Sequence, residues 1–224
     1  MKTGVFLQVR LDSQRLPRKA LKVLQGKTVT EHCLEALSRV EADCRVLVTE
    51  PDSAPALEPL ARRLNWQLFV GSKDHVLDRF VSAGRHFPCD WILRATGDNP
   101  LVSAAAARAV LDRTREEEGD YGAMTGPPVG TGVEVLRRAA LERAWESGPD
   151  AYEREHVSPY LYRRPETFRI LRFPCPPDWA APEARVTLDT PEDWWYLEAL
   201  FHDLYRGGPI ELEALIPWLL THPR

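Results

Sequence analysis

The sequence predicts an α/β fold with a mainly parallel sheet covered by helices on both faces. Short apolar runs alternate with amphipathic segments across residues 4–119. The connections between them are short and polar, as strand–helix repeats require. A concentration of basic residues directly after the first apolar run adds a third observation. In such sheets, ligands bind beyond the carboxyl ends of the strands, where the strand order reverses.

Residues 4–9 read as a buried strand, apolar and bounded by Gly4 and a polar loop. Thr28 and Glu31 have capping-box spacing, and Cys33, Leu34, Leu37 and Val40 then recur at helical period. Residues 45–49 are the second strand, broken by Pro51-Asp52-Ser53. Leu57, Leu60, Ala61 and Leu64 mark the next helix, and residues 67–70 the third strand. A third helix spans residues 76–86, with Asp74 as its expected cap, and residues 91–95 form the fourth strand. Thr96-Gly97-Asp98-Asn99-Pro100 is a tight polar loop, and Ser103 starts a long helix ending near Glu118-Gly119. The second half is less regular. Strands are expected at 121–124, 131–136, 168–173 and 185–188, and helices at 138–147, 152–163, 192–204 and 210–220.

At 224 residues and 44% hydrophobic content, the chain suits one domain over 1–224 with a full core. Within it, residues from about 121 to 185 form an irregular region, and helices from about 191 to 220 close the chain. A net charge of -4 argues against bulk binding to nucleic acid. Four cysteines lie far apart without a Cys-x-x-Cys pair, which disfavours a zinc site or disulfide framework and fits a reducing, cytoplasmic setting. No apolar run reaches the length of a membrane span. The Trp- and Leu-rich stretches at 194–197 and 215–220 suit core packing, with a homodimer contact as the alternative use.

Residues 10–27 carry six basic side chains (Arg10, Arg15, Arg18, Lys19, Lys22, Lys27) against one acid, Asp12. Set between a strand and a helix, this stretch suits a phosphate-rich ligand. Arg10, Arg15 and Lys19 can neutralise phosphates, Ser13 can donate a hydroxyl hydrogen bond, and loop N–H groups can cradle oxygens. Neither the Walker pattern nor Gly-x-Gly-x-x-Gly is present. A solvated basic loop is the simpler use of the same residues.

The stretch from Arg10 through Ser13, Arg15, Leu16 and Pro17 to Lys19 resembles the signature of the sugar cytidylyltransferases, roughly Arg-x-x-Ser-x-Arg-Leu-Pro-Gly-Lys. Gly71-Ser72 with Val76-Leu77-Asp78-Arg79-Phe80 is similar to the spore-coat polysaccharide subgroup, as is the segment from Arg94 through Gly97, Asp98 and Pro100 to Leu101. Val133-Glu134-Val135, Arg154-Glu155-His156-Val157 and the segment from Arg185 to Asp193 follow in the same order. The resemblance implies a three-layer α/β/α, Rossmann-like nucleotidyltransferase fold, CTP as donor, Mg2+ as cofactor and a sugar acceptor, an acidic one in the best-known members. It implies that Arg10, Ser13, Arg15 and Lys19 hold the triphosphate. Asp98 and Asp189 would hold the metal, and Ser72 and Gly97 would lie along the nucleotide. Glu134, Arg154 and His156 would face the acceptor. Turn or helix-capping roles are the alternative for both aspartates, and a structural hydrogen bond for His156.

Two positions depart from the pattern. Arg18 stands where the family has Gly, and Gly132 where the subgroup has Asp. The alternatives to a cytidylyltransferase are a nucleotidyltransferase using another base or a sugar phosphate, and a non-catalytic nucleotide-binding module.

Overall fold

The computed structural model describes residues 1–223. Its first strand, β1 (Thr3–Gln8), has Val5, Phe6 and Leu7 fully buried, as a central parallel strand requires. A small hairpin follows, β2 (Val23–Leu24) and β3 (Lys27–Thr28), where the sequence reads as loop. Both residues of its turn, Gln25 and Gly26, take positive φ, the backbone that two-residue hairpins favour. Next comes α1 (Val29–Leu37), whose Thr28–Glu31 capping box is fully formed. The alternation then runs β4 (Cys44–Thr49), α2 (Ala54–Arg63), β5 (Gln67–Val70), α3 (Val76–His86), β6 (Trp91–Thr96) and α4 (Ala104–Glu116). Ser103 caps α4 as its position predicts. The cap of α3 is His75, not Asp74: its Nδ1 accepts from Asp78 N at 3.0 Å.

The second half adds β7 (Tyr121–Thr125), β8 (Glu134–Arg137), α5 (Arg138–Glu146), α6 (Ala151–His156), α7 (Pro159–Tyr162), β9 (Ile170–Pro174), α8 (Pro191–Leu204) and α9 (Leu212–Thr221). Three expectations change here. The helix expected at 152–163 is two short helices, because Val157 takes φ 70, ψ -63 and Pro159 starts a new turn. The strand expected at 131–136 begins only at Glu134. Residues 185–188 form no strand. Arg185 makes one isolated bridge to Val129, and Leu188 N instead donates to Asp98 O at 3.0 Å.

Apart from the β2–β3 hairpin, the strands form one seven-stranded sheet in the order β5-β4-β1-β6-β8-β7-β9. Within it, β8 alone runs antiparallel to its neighbours. The chain winds outward from β1 through β4 to β5, then returns to pair β6 on the other side of β1. The carboxyl ends of β1 and β6 therefore flank the point where strand order reverses, the usual ligand crevice of such sheets.

Side chains alternate between two apolar layers. Val5 and Leu7 pack with Leu34, Leu57 and Val110 from α1, α2 and α4. Phe6 points the other way, to Leu77, Phe80 and Leu141 from α3 and α5. A third cluster joins Leu24 and Leu101 to Leu197, Phe201, Leu215 and Leu219, so α8 and α9 close over the hairpin. The aromatic C-terminal stretch is thus largely core, although Trp195 stays 64% exposed.

Candidate active site

Beyond the ends of β1 and β6 lies a cleft of about 540 Å³. The basic loop forms one wall, and Thr96, Gly97 and Asp98 form the floor. Gly97 fits here because its backbone abuts β1. Its N donates to Gln8 O at 2.8 Å, and a Cβ would come within 2.6 Å of Val9 Cγ2.

The basic loop is anchored at both ends. Val9 N donates to Val48 O, and Val9 O accepts from Thr49 Oγ1. Leu11 N donates to Ser53 Oγ at 2.9 Å, and Ser53 Oγ in turn donates to the buried carboxylate of Glu50. At the other end, Leu16 packs into the third cluster and Lys22 lies 4.1 Å above the Trp194 ring. Between these anchors Arg10 and Arg15 are mostly exposed and Ser13 faces the cleft. Arg18 holds the left-handed conformation, φ 52 and ψ 30, just before Lys19. This is backbone that glycine adopts without steric strain, in keeping with the Gly that the resembled signature has at this position.

Lys19 is at the centre of the arrangement. Its Nζ donates to Asp98 Oδ2 at 2.8 Å, to Asp189 Oδ1 at 2.8 Å and to Leu188 O at 2.6 Å. Arg15 reaches Asp189 Oδ1 at 3.4 Å, and Arg185 pairs with Asp189 Oδ2. The Asp189 backbone is fixed by Asp193, whose Oδ2 accepts from both Asp189 N and Thr190 N. Burial pushes the Asp189 carboxyl upward, but the Lys19 hydrogen bond and the charges of Lys19, Arg185 and Arg15 outweigh it and hold it below the ordinary range.

Asp98 and Asp189 come from segments far apart in the chain, yet both bind one ammonium nitrogen. Two carboxylates presenting hard oxygens at one point suit Mg2+, which takes one or two carboxylates and completes its shell with phosphate oxygens and water. No group of three or more His, Cys, Asp or Glu capable of holding a metal occurs among the described residues. The donor set therefore fits a metal shared with a phosphate ligand and not an all-protein cage.

Opposite the basic loop, Glu155 and His156 line the cleft from the end of α6. Val157 follows in a tight three-residue turn, with Ser158 N donating to His156 O at 2.8 Å. Arg94 also lines the cleft, held by Glu134 Oε2 at 2.5 Å and Gln8 Oε1 at 3.0 Å. Glu134 is fully engaged, accepting also from Tyr121 OH at 3.0 Å and Ser158 Oγ at 2.6 Å.

Of the residues singled out from sequence, Arg10, Ser13, Arg15, Lys19, Gly97, Asp98, Asp189 and His156 line the cleft together. Ser72, Glu134 and Arg154 do not. Ser72 binds His75 N and Arg79 Nε, Glu134 sits in the network beneath the cleft, and Arg154 Nε donates to Pro149 O at 2.8 Å. Sequence reasoning missed the part of Glu155, although it lies inside the Arg-Glu-His-Val motif. It also missed Glu50 and Ser53, which carry no sequence signal because their partner, Leu11 N, is a backbone group.

A doubly wound sheet whose crevice gathers a cationic loop, Asp98 from the end of β6 and Asp189 from the entry to α8 has the architecture of a nucleotidyltransferase. The chain belongs to the cytidylyltransferase family, whose model matches residues 5–210. It is 33% identical to an uncharacterised protein of Methanocaldococcus jannaschii, over 100% of this chain and 93% of that one. It is 28% identical to the spore coat polysaccharide biosynthesis protein SpsF of Bacillus subtilis, over 97% and 94%. Among solved structures, a cytidylyltransferase from Leptospira borgpetersenii superposes with a TM-score of 0.90 at 25% identity, over 100% and 95%. The sugar-cytidylyltransferase resemblance and the three-layer fold read from sequence both stand.

Proposed function

We propose that the enzyme moves CMP from CTP to a sugar, with Mg2+ as cofactor and release of pyrophosphate, in the synthesis of a surface polysaccharide. The observation that carries this reading is the convergence of Lys19, Asp98 and Asp189 at the mouth of the basic loop. The cytidylyltransferase family and the spore-coat relative support it.

Arg10, Arg15 and Lys19 neutralise the β- and γ-phosphates, and Ser13 donates a hydroxyl to them. A sugar hydroxyl oxygen attacks the α-phosphorus in line, its proton passes to water, and the bond to the pyrophosphate oxygen breaks. The cationic side chains stabilise the charge that builds on that leaving oxygen. Asp98 and Asp189 would hold the Mg2+, which polarises phosphate oxygens when bound. The acceptor lies against Gln8, Arg94, Glu155 and His156. An acidic sugar follows from the family resemblance, and Arg94 is the cationic side chain on that wall.

The test is pyrophosphate release from each of the four nucleoside triphosphates with Mg2+ and a panel of acidic and neutral sugars. Release with CTP alone among the nucleotides is expected. Release with another triphosphate and not with CTP would move the reading to a different nucleotidyltransferase. Thermal stabilisation by no nucleotide at all would refute it.

A further inference from the structure

Lys19 differs from the other cations of the loop. Arg10 and Arg15 are mostly exposed, and if Arg15 turns to a phosphate its partner Asp189 keeps Lys19 and Arg185. Lys19 has a side chain only 12% exposed, and an ammonium has three donors. All three are already used, on Asp98, Asp189 and Leu188 O. Nothing remains for a phosphate until at least one of these bonds is released.

The same ammonium nitrogen fills the point to which both carboxylates turn an oxygen. A divalent cation on those oxygens would sit within a few ångströms of Nζ, where like charges repel strongly in a partly buried site. Arg15 and Arg185 deepen the effect by neutralising Asp189 further.

Building on the proposed reaction, we infer that Lys19 is a displaceable latch: it closes the two-carboxylate site in the nucleotide-free enzyme, and the site opens to a divalent cation when a triphosphate draws Lys19 away. The triphosphate offers Lys19 replacement acceptors of higher charge, so the exchange conserves ion pairing. Nucleotide and metal affinities are then coupled, each raising the other by the same factor. The enzyme takes up nucleotide and metal together and does not hold the metal in reserve.

The test is Mn2+ binding to the full chain, read by loss of the free-ion electron paramagnetic resonance signal. Wild type is compared with Lys19→Met and Lys19→Gln, each shown to melt cooperatively. Without nucleotide, at least one folded variant should bind Mn2+ fivefold or more tightly than wild type. A gain below fivefold in both overturns the latch. A parallel arm measures CTP binding to wild type by calorimetry with and without Mn2+. No CTP binding in either condition defeats the proposed reaction, while the comparison of variants without nucleotide still decides the latch.

Discussion

Ser158 donates its hydroxyl to Glu134 Oε2 at 2.6 Å, tying the start of α7 to the edge of β8. The bond lies one residue beyond the tight turn at Val157 and holds the wall that carries Glu155 and His156. Ser158→Ala removes a hydrogen bond to a charged group, worth about 1.5–3 kcal/mol. For a chain of this size that corresponds to a fall in Tm of roughly 3–12 °C, measured by calorimetry. Acceptor KM should rise more than the Kd for CTP, because the basic loop is anchored elsewhere. Equal effects on both would show that the turn does not serve the acceptor wall.

Val157 is fully buried and holds a conformation that a β-branched residue rarely adopts. Such backbone costs about 1–3 kcal/mol, a cost that glycine removes and alanine retains. At an ordinary buried strand position, Val→Gly exceeds Val→Ala by about 1.5–2 kcal/mol through lost apolar area and chain entropy. At Val157 the two opposing effects nearly cancel. Val157→Gly and Val157→Ala should therefore unfold within about 1 kcal/mol of each other. The same pair at Val135, in the sheet, should differ by about 2 kcal/mol. Urea titration of the four variants decides it.

Arg18 makes a similar comparison in the basic loop. Left-handed backbone costs a non-glycine residue roughly 1–2 kcal/mol, and glycine adds about 0.5–1 kcal/mol of chain entropy. Arg18→Gly should leave stability within about 1 kcal/mol of wild type, with CTP affinity changed less than about threefold. Arg18→Val should destabilise by more than 1 kcal/mol and weaken CTP binding by distorting the approach to Lys19. If Arg18→Gly weakens CTP binding tenfold or more, the guanidinium itself holds phosphate.

His32 sets an acid limit on stability. It is buried against Phe201 and Tyr205, with Nε2 bonded to Leu24 O. Burial lowers its pKa, only partly offset by the Leu24 hydrogen bond. A group with a depressed folded-state pKa contributes stability that is present above its unfolded pKa, near 6.5, and is lost as pH falls through the folded value. Wild-type stability should therefore decline from about pH 7 downward. His32→Phe should flatten that slope, as urea midpoints at several pH values would show.

Residue pattern made the doubly wound half of the fold legible because its elements are local. Apolar runs of strand length, the Thr28–Glu31 capping box and Ser103 before α4 each act within a few residues. The meeting of the basic loop with Asp98 was legible because a doubly wound sheet sets the loops after β1 and β6 side by side, whereas Asp189 was reached only through the family resemblance. The segment from Arg185 to Leu188 has the composition of a strand, but its hydrogen bonds go to Val129 O and Asp98 O, partners that no local pattern names. Helical spacing over residues 152–163 hid the turn at Val157, although Pro159 marked the break. The β2–β3 hairpin was hidden by its two-residue strands, and only Gln25-Gly26 hinted at it.

The three groups bound together at the cleft mouth come from the first strand–helix crossover, the fourth parallel strand and the entry to α8. Lys19 lies 79 residues from Asp98 and 170 from Asp189. Contacts of such separation carry a large loop-closure cost that must be met before they contribute stability. Ribosomal synthesis places Asp189 in the emerging chain long after the basic loop. A nascent or truncated chain ending before Asp189 would carry the whole cationic loop yet lack one of the two carboxylates that hold Lys19. A divalent cation that needs both carboxylates would thus bind and stabilise only a chain folded through Asp189.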